Sequence, residues 1–363
     1  MNRTEGNAMG FLRSRRIRWT RAIVLGACMT LGAPLLAACG SGADSGSGGR
    51  QVVVADYGGV TDEGYKAAYF KDFTKESGIK VVTASADMAR YIAMAKAGTS
   101  QWDTIDADGF AVVDMTDRGL VQKLPDSVPR SDTVTGKYRD YSAGGYTQSF
   151  VLAYRKSAFK TAPTSWADVW DTKKFPGKRG WPNYYIGTAE AALLADGVQG
   201  SGLYPLDFDR AFAKLDKLKS SLTIYDSYAA VTQGLQAGSV DMALLPNGRA
   251  AVLAKDDPDI AIMWEQNIFY PWSGFTIPKG APNADGMAKL LTYMQDPKRQ
   301  AAFAEKTYYG PTLKAAYDLI DPKVAAELPG TPEHKALAVT VDTPALAAQT
   351  DEYIKRYSAW VAK

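Results

Sequence analysis

The stretch Gln51-Val-Val-Val-Ala-Asp-Tyr-Gly-Gly59 decides the fold, because a short β-branched run stands directly before a two-glycine turn. A continuous apolar run of this length predicts a strand buried on both faces. The next residues, Thr61-Asp62-Glu63, predict the start of a helix, with Thr61 as the N-cap and two acids in the first turn. A buried strand, a glycine turn and a helix in this order indicate an α/β fold.

The same alternation continues along the chain. Strands are predicted over residues 79–83 and 102–107, and helices over 89–97 and 111–118. The resulting β-α-β-α-β order predicts a mostly parallel sheet with helices on both faces. Further strands are predicted at 150–154, 239–245, 260–264 and 274–278, and further helices at 166–170, 189–194, 208–218, 228–237, 284–295, 297–306 and 345–361.

Composition excludes several kinds of protein. With 46% hydrophobic and 22% charged residues over 363 positions, the chain has the balance of a globular protein of one large or two ordinary domains, and coiled coil or disorder is excluded. His334 is the single histidine, so a mid-chain His-containing triad and a multi-His metal site are excluded. Cys28 and Cys39 are the two cysteines, which leaves no thiolate zinc cluster and no disulfide framework. We expect neither a cofactor nor a metal.

The net charge of +3 comes from the N-terminus. Residues 1–38 contain six of the 42 basic residues and one of the 39 acidic residues, so the remaining 325 residues have a net charge of −2. A nearly neutral body lacks the large basic field with which proteins attract nucleic acid. We therefore expect no nucleic-acid partner.

The N-terminus is typical of a secretory signal. A basic stretch, Arg13 to Arg21, precedes an uncharged apolar run, Ala22 to Ala38, that contains two glycines and a proline. This pattern predicts a signal peptide over residues 1–38, with an uncleaved anchor helix as the alternative. The end of the run, Leu-Ala-Ala-Cys39, resembles the bacterial lipobox, in which the cysteine is acylated. Residues 39–50 are rich in Gly and Ser and predict a flexible tether, so we expect an extracytoplasmic protein lipid-anchored to the cell membrane or facing the periplasm.

A set of short motifs runs through the body in a fixed order. They are Tyr57-Gly58-Gly59, Phe73-x-x-Glu76-x-Gly78-Ile79-Lys80-Val81, Trp166-Ala-Asp-Val-Trp170 with Phe175-Pro-Gly-Lys178, Gly238-Ser-Val-Asp-Met242 followed by Asn247-Gly248-Arg249-Ala250, Asp296-Pro297, and Tyr309-Gly310-Pro311. In these residues the chain resembles the extracytoplasmic solute-binding proteins of ABC importers, in the branch that includes the spermidine/putrescine binders.

The resemblance implies a periplasmic-binding-protein-like (type II) fold, in which two α/β lobes joined by crossing strands enclose a ligand cleft. It implies lobes that are discontinuous in sequence, with residues 51–150 and 272–318 in one and residues 151–271 and 319–363 in the other. It also implies a monomer without catalytic activity, which takes a small solute to permease subunits in the membrane.

Candidate ligand-binding residues come from strand ends, because α/β sheets bind ligands beyond the carboxyl ends of their strands. Tyr57, Asp108 and Phe110 follow predicted strands of the first lobe. The resemblance adds aromatic walls from Tyr184 and Trp272, and Ser273 at a position where polyamine binders have an acid. Arg249 adds a cation suited to a ligand carboxylate, and Asp226, in the loop before the helix at 228–237, adds the opposite charge. For three of these residues other interpretations stay open. Tyr57 could be a rim side chain, and Arg249 could form a surface or inter-lobe salt bridge. Asp108 could be a helix cap or could form a metal-binding pair with Asp106.

The chain departs from the polyamine binders where they place carboxylates. It has Asn183-Tyr-Tyr-Ile-Gly187 in one such loop, Pro246 where tryptophan is usual, and Trp272-Ser273 in the return strand. Because two buried ammonium groups without paired carboxylates are costly, we expect a zwitterion such as an amino acid, an opine or an aminophosphonate rather than a polyamine. Asp108 or Asp226 is expected to hold its ammonium and Arg249 its acidic group.

Other classes of function stay open. Glycoside hydrolases use a pair of carboxylates as catalytic residues, so a glycoside-hydrolase-like lipoprotein enzyme is one alternative. A structural or adhesive lipoprotein is a further alternative. Ferric-ion binders of the same fold have a Tyr-Tyr pair beside the position of Asn247-Gly248, and this chain has Tyr184-Tyr185 and Tyr308-Tyr309 at other positions.

Overall fold

A computed structural model describes residues 51–363; the predicted signal peptide, Cys39 and the tether to residue 50 lie outside the described residues. Two β-sheets organise this part of the chain. We call each sheet, with the helices packed on it, a lobe. Among residues 51–363, no helix combines the length and the apolar composition that crossing a membrane requires.

The first sheet has the strand order β2-β1-β3-β10-β4. Both β2 and β3 run parallel to β1, as the β-α-β-α-β pattern predicts, whereas β10 runs antiparallel to β3 and β4. The strands are β1 (Gln51–Asp56), β2 (Lys80–Ser85), β3 (Thr104–Asp108), β4 (Ser142–Gly144) and β10 (Ser273–Thr276).

The second sheet has the order β11-β9-β5-β8-β6-β7. Its centre is the long antiparallel pair of β5 and β9, and β6 runs parallel to β7 and β8. The strands are β5 (Gln148–Arg155), β6 (Arg179–Pro182), β7 (Leu222–Tyr225), β8 (Met242–Pro246), β9 (Ile260–Tyr270) and β11 (Val339–Thr340).

Helices cover both sheets. The first is continuous in three parts, α1 (Val60–Tyr65), a π-helical turn (Lys66–Phe70) and α2 (Lys71–Ser77). The others are α3 (Met88–Ala97), α4 (Gly109–Asp117), α5 (Trp166–Trp170), α6 (Thr188–Ala195), α7 (Phe208–Asp216), α8 (Tyr228–Gln236), α9 (Asn247–Asp256), α10 (Ala284–Met294), α11 (Pro297–Thr307), α12 (Lys314–Tyr317), α13 (Pro322–Ala325), α14 (Pro332–Ala336) and α15 (Thr343–Val361).

The first helix begins differently from the prediction. It starts at Val60 with Gly59 as its N-cap, and Gly59 has φ 62° and ψ −133°, a conformation that only glycine adopts easily. The prediction that Thr61 is the N-cap is therefore wrong. The Thr61 hydroxyl donates instead to the carbonyl oxygen of Gly58 at 3.1 Å, inside the turn.

The chain passes between the two sheets after β4 and again before β10. The two passages lie side by side, because the Ser273 N–H donates to the Tyr146 carbonyl at 2.7 Å and the Gly145 N–H donates to the Ser273 carbonyl at 2.9 Å. A third passage leads from α12 through α13 and α14 to β11. The residue boundaries expected for the lobes stay a prediction.

The start of α9 docks the second lobe onto the first. The Asn247 Oδ1 accepts from the Ser149 N–H at 2.9 Å, and its Nδ2 donates to the Tyr308 carbonyl at 2.7 Å, just beyond α11. At Gly248 an added Cβ would lie 2.4 Å from the carbonyl oxygen of Thr307 and 2.8 Å from the Tyr309 ring. Only glycine therefore permits this close approach.

We predict that Gly248→Ala lowers the stability of the protein by about 1–3 kcal/mol, because the new methyl group overpacks the contact between the lobes. Urea unfolding measures this loss. Gly202→Ala is the matched control, since nothing lies within 4 Å of a Cβ added there. Equal unfolding midpoints for both variants would contradict the close contact at Gly248.

Candidate functional site

A cavity of about 730 Å³ opens between the ends of strands from the two sheets. Tyr57 and Asp108, which follow β1 and end β3, line it from the first lobe. Phe150 of β5, Tyr184 after β6 and Arg249 of α9 line it from the second lobe. Its volume lies in the range usual for small-molecule sites.

The structure brings five of the eight predicted ligand-binding residues to this cavity and leaves three away from it. Those at the wall are Tyr57, Asp108, Phe110, Tyr184 and Arg249, and those absent from it are Asp226, Trp272 and Ser273.

The three absent residues have other positions. Asp226 is solvent-exposed beyond the end of β7. Trp272 is buried behind the start of α4, where its indole lies 2.8 Å from a Cβ added at Gly109. The Ser273 hydroxyl is buried against the backbone of Tyr146. Nothing in their positions gives them contact with a solute in the cavity.

Aromatic rings form a continuous wall across both lobes. The Tyr57 and Tyr184 rings meet edge to face with centroids 6.4 Å apart, and the Tyr184 ring stacks on Tyr228 at 4.8 Å. Phe150 lies 6.2 Å from Tyr228 on the other side. The wall also includes Phe110 and Tyr185, and the buried Tyr270 packs behind Phe150 and Phe110. Such a wall offers apolar surface to a carbon chain and π faces to a cation.

Arg249 is a buried cation without an acidic partner. Its side chain is 7% exposed, and its Nη2 donates to the Gly58 carbonyl of the other lobe at 2.9 Å. Its guanidinium carbon lies 5.4 Å from the centre of the Tyr228 ring. Within residues 51–363, none of the ion pairs includes Arg249, so the expected alternative of an inter-lobe salt bridge is wrong: the bond across the lobes goes to a carbonyl.

Gly59 makes room for this arginine. A Cβ added at Gly59 would lie 2.7 Å from Arg249 Nη1, and the residue has a positive φ. The two-glycine turn that follows β1 therefore permits the guanidinium to cross from α9 to the first lobe.

Two carboxyls of β3, the buried Asp106 and the half-buried Asp108, face the site from the first lobe. The Tyr65 and Tyr146 hydroxyls donate to Asp106 Oδ2 at 2.9 and 3.2 Å. Burial raises the pKa of Asp106 to about 8, although these hydrogen bonds oppose the rise. Burial likewise raises the pKa of Asp108 to about 6, while Gln148, whose Nε2 donates to its Oδ1 at 2.7 Å, opposes it. An ammonium group would offset the desolvation of both.

The other interpretations of Asp108 find less support in this geometry. Asp108 stands at the N-cap position of α4, but its side chain makes no capping hydrogen bond. The part of the chain that the structure describes contains no group of three or more His, Cys, Asp or Glu side chains placed to hold a metal ion.

The sequence predictions missed several wall residues: Tyr146, Gln148, Phe150, Tyr185, Tyr228 and Tyr309. Tyr309 lies in one of the quoted motifs, and Tyr185 is adjacent to Tyr184. Tyr228 begins α8 after the Ser227 cap, which is a helix-start signal rather than a strand-end signal.

The family model described as bacterial extracellular solute-binding protein matches residues 68–332, most of the chain. The chain belongs to this family. The predicted resemblance is confirmed, and the two-lobed binding-protein fold with it. This solute-binding protein is the solute-capturing component of an ABC importer, since its relatives and structural neighbours have that role.

Two curated relatives are similar over most of their length. One is the gamma-aminobutyric acid-binding protein of Pseudomonas aeruginosa, 33% identical over 324 residues, which are 86% of this chain and 92% of the relative. The other is the spermidine/putrescine-binding periplasmic protein of Escherichia coli, 25% identical over 269 residues, which are 70% of this chain and 76% of the relative.

Two solved structures share the fold and part of the sequence. A GABA receptor is 34% identical with a TM-score of 0.77, and the match covers 86% of this chain and 98% of that one. A binding protein from A. tumefaciens in complex with agropinic acid is 28% identical with a TM-score of 0.79, and the match covers 86% and 99% of the two chains.

Asp106 gives this solute-binding protein a pH-dependent stability. Its folded-state pKa of about 8 lies above the ordinary 3.8. Protonated Asp106 therefore contributes its full stabilisation of the fold below about pH 4, and this contribution falls as the pH rises and is lost above about pH 8. Because asparagine does not ionise, we predict that Asp106→Asn melts close to wild type at about pH 4 and at a higher temperature at about pH 9. Thermal unfolding followed by circular dichroism measures both.

Asp126→Asn, which changes an exposed carboxyl, is the control and should leave the pH profile unchanged. If Asp106→Asn shifted the melting temperature equally at both pH values, ionisation of Asp106 would not be the cause.

Proposed function

We propose that this protein captures a zwitterion with a carboxylate at one end and an ammonium at the other, with γ-aminobutyric acid as the leading candidate. The observation that carries the proposal is the buried Arg249 guanidinium without a carboxylate partner in residues 51–363, which shares a cavity with Asp106 and Asp108. The relatives named for γ-aminobutyric acid support the same solute class.

The charges of the cavity are separated by lobe. Arg249 comes from α9 of the second lobe, and both carboxyls come from the end of β3 in the first lobe. A zwitterion placed with its carboxylate on Arg249 and its ammonium on Asp108 neutralises both sides. A guanidinium suits this role, because it donates two parallel hydrogen bonds to one carboxylate.

The aromatic wall fits the middle of such a solute. A short methylene chain gains from burial against the Tyr184 and Tyr228 rings, by about 0.8 kcal/mol for each buried CH₂. Tyr57 presents a ring from the first lobe, where it adds a cation–π contact for the ammonium. The cavity therefore offers one complementary surface to each part of the molecule.

Binding of this kind favours closure of the lobes. A solute that contacts Arg249 and Asp108 together binds the closed form more tightly than the open one, so it shifts the population to the closed form. The closed, loaded protein is the species that would deliver solute to the permease. We propose that it acts as a monomer and catalyses no reaction, as its family implies.

A polyamine is the second candidate. Three carboxyls of the first lobe, the buried Asp56 and Asp106 and the half-buried Asp108, favour a cationic solute. Against it, Arg249 would repel a second ammonium in the same cavity, and its own charge would stay uncompensated.

Arg249→Gln should weaken binding of γ-aminobutyric acid at least about a hundredfold, because loss of a buried charge partner costs roughly 3–5 kcal/mol. Isothermal titration calorimetry measures the dissociation constant. Arg139→Gln removes an exposed arginine and should bind like wild type.

The ligand 4-aminobutanamide separates loss of the carboxylate contact from loss of lobe closure. It has the ammonium and lacks the acid, so its affinity should differ little between wild type and Arg249→Gln. If both ligands lost affinity equally in the variant, Arg249 would not bind the carboxylate.

We further propose that Cys39 is acylated after removal of residues 1–38, which tethers the protein to a membrane beside its permease. The Leu-Ala-Ala-Cys39 sequence supports this, and residues 1–50 lie outside the described part of the chain. Mass spectrometry of the membrane fraction should find a lipidated N-terminal Cys39 peptide. Recovery of an intact peptide that spans Arg21 to Cys39 from mature protein would contradict it.

A further inference from the structure

A second, smaller cavity of about 370 Å³ borders the solute cavity. Tyr57 and Tyr184 line both cavities, so their edge-to-face pair lies between them. The rest of the second cavity belongs to the first lobe. Its first-lobe lining, apart from Tyr57, is Asp56, Gly58, Asp62, Thr83, Ala84, Ser85 and Ala86.

Two carboxylate oxygens of this lining have no hydrogen-bond partner. They are Asp56 Oδ2 and Asp62 Oδ1, and both are buried. Asp56 is 3% exposed, and its other oxygen accepts from the Gly58 N–H at 2.7 Å. The Asp62 Oδ2 is paired with Lys66 Nζ at 2.6 Å. A buried acceptor without a donor is costly, so such groups are rare unless a ligand, an ion or a water satisfies them.

Helix stabilisation explains the position of Asp62 but not that of Asp56. Asp62 lies in the first turn of α1, where an acid stabilises the helix. Asp56 is the last residue of β1, before the turn. Burial raises its pKa to about 6, although the Gly58 N–H and the cations Lys66 and Arg249 oppose the rise and Asp62 adds to it. The fold therefore keeps a carboxyl in an environment that penalises its charge.

We propose that this second cavity binds a monovalent cationic group between Asp56 and Asp62, either an alkali-metal ion or the ammonium end of an alkylamine. Carboxylate oxygens are ligands that hard cations prefer, and the Thr83 and Ser85 side chains border the same space. One positive charge is the right number, because Lys66 pairs with Asp62 and none of the ion pairs within residues 51–363 includes Asp56.

The proposed cation site is connected to the solute site through one residue, Gly58. The Gly58 N–H donates to Asp56 Oδ1, and the Gly58 carbonyl accepts from Arg249 Nη2 at 2.9 Å. A cation that keeps Asp56 ionised strengthens its bond to Gly58 and holds the carbonyl that positions Arg249. The cation should therefore stabilise the protein without solute and raise its affinity for solute, by reciprocal coupling.

Thermal unfolding without solute tests the site separately from the proposed function. Choline chloride is replaced stepwise by NaCl, KCl or methylammonium chloride at constant ionic strength. Wild type should show a saturable rise in melting temperature with at least one of the three. A response to NaCl or KCl identifies an ion site, and a response to methylammonium alone identifies an amine subsite.

Asp56→Asn should remove the saturable rise in melting temperature. Asp62→Asn should weaken it, and this variant replaces Asp56→Asn in the test if Asp56→Asn is too unstable to measure. Asp72→Asn, an exposed acid of the same continuous helix, should keep it in full. A wild type that responds equally to all four salts would overturn the proposal and leave water as the occupant. A methylammonium response that survives in Asp56→Asn, without any alkali response, would also overturn it, because that response would belong to Asp108.

Discussion

The contact of Arg249 with the Gly58 carbonyl is the constraint on which the rest of the site depends. It places a buried guanidinium from the second lobe against the first lobe, where the missing side chain of Gly59 leaves room for it. The bond to a carbonyl satisfies one donor but leaves the guanidinium without an ion pair within residues 51–363. A buried, unpaired cation is costly, so the fold gains when a ligand carboxylate arrives.

The acids of the first lobe are the counterpart of that cation. Asp56 ends β1, and Asp106 and Asp108 end β3, so neighbouring parallel strands deliver all three to one edge of the sheet. Burial raises the pKa of each. One side of the cleft therefore favours a positive group and the other favours a negative group, and a zwitterion satisfies both at once.

Local sequence signals predicted the elements they control. The apolar run at residues 51–55 becomes β1, and Trp166–Trp170 becomes α5 with the predicted bounds. β6 was missed, because its sequence Arg-Gly-Trp-Pro has no strand pattern. It forms because the buried Arg179 donates to the carbonyls of Val169, Gly177 and Phe175, which are contacts that only the folded chain provides.

Local sequence signals likewise predicted only part of the candidate site. The strand-end rule led to Tyr57 and Asp108, which line the cavity. It does not extend to Trp272, because β10 runs antiparallel and the residue before it packs behind α4. Tyr228 and Tyr309 reach the cavity from the start of α8 and from beyond the end of α11. Their positions depend on how the two lobes dock, which no local pattern encodes.

The separated charges of the cleft require a solute that supplies both charges. Calorimetric titration of the wild-type protein with γ-aminobutyric acid, butylamine and butyrate at one pH tests it most directly. The account predicts that the zwitterion binds and that each singly charged analogue binds at least about a hundredfold more weakly, since each leaves one buried charge unpaired. Butylamine that binds as tightly as γ-aminobutyric acid would contradict it.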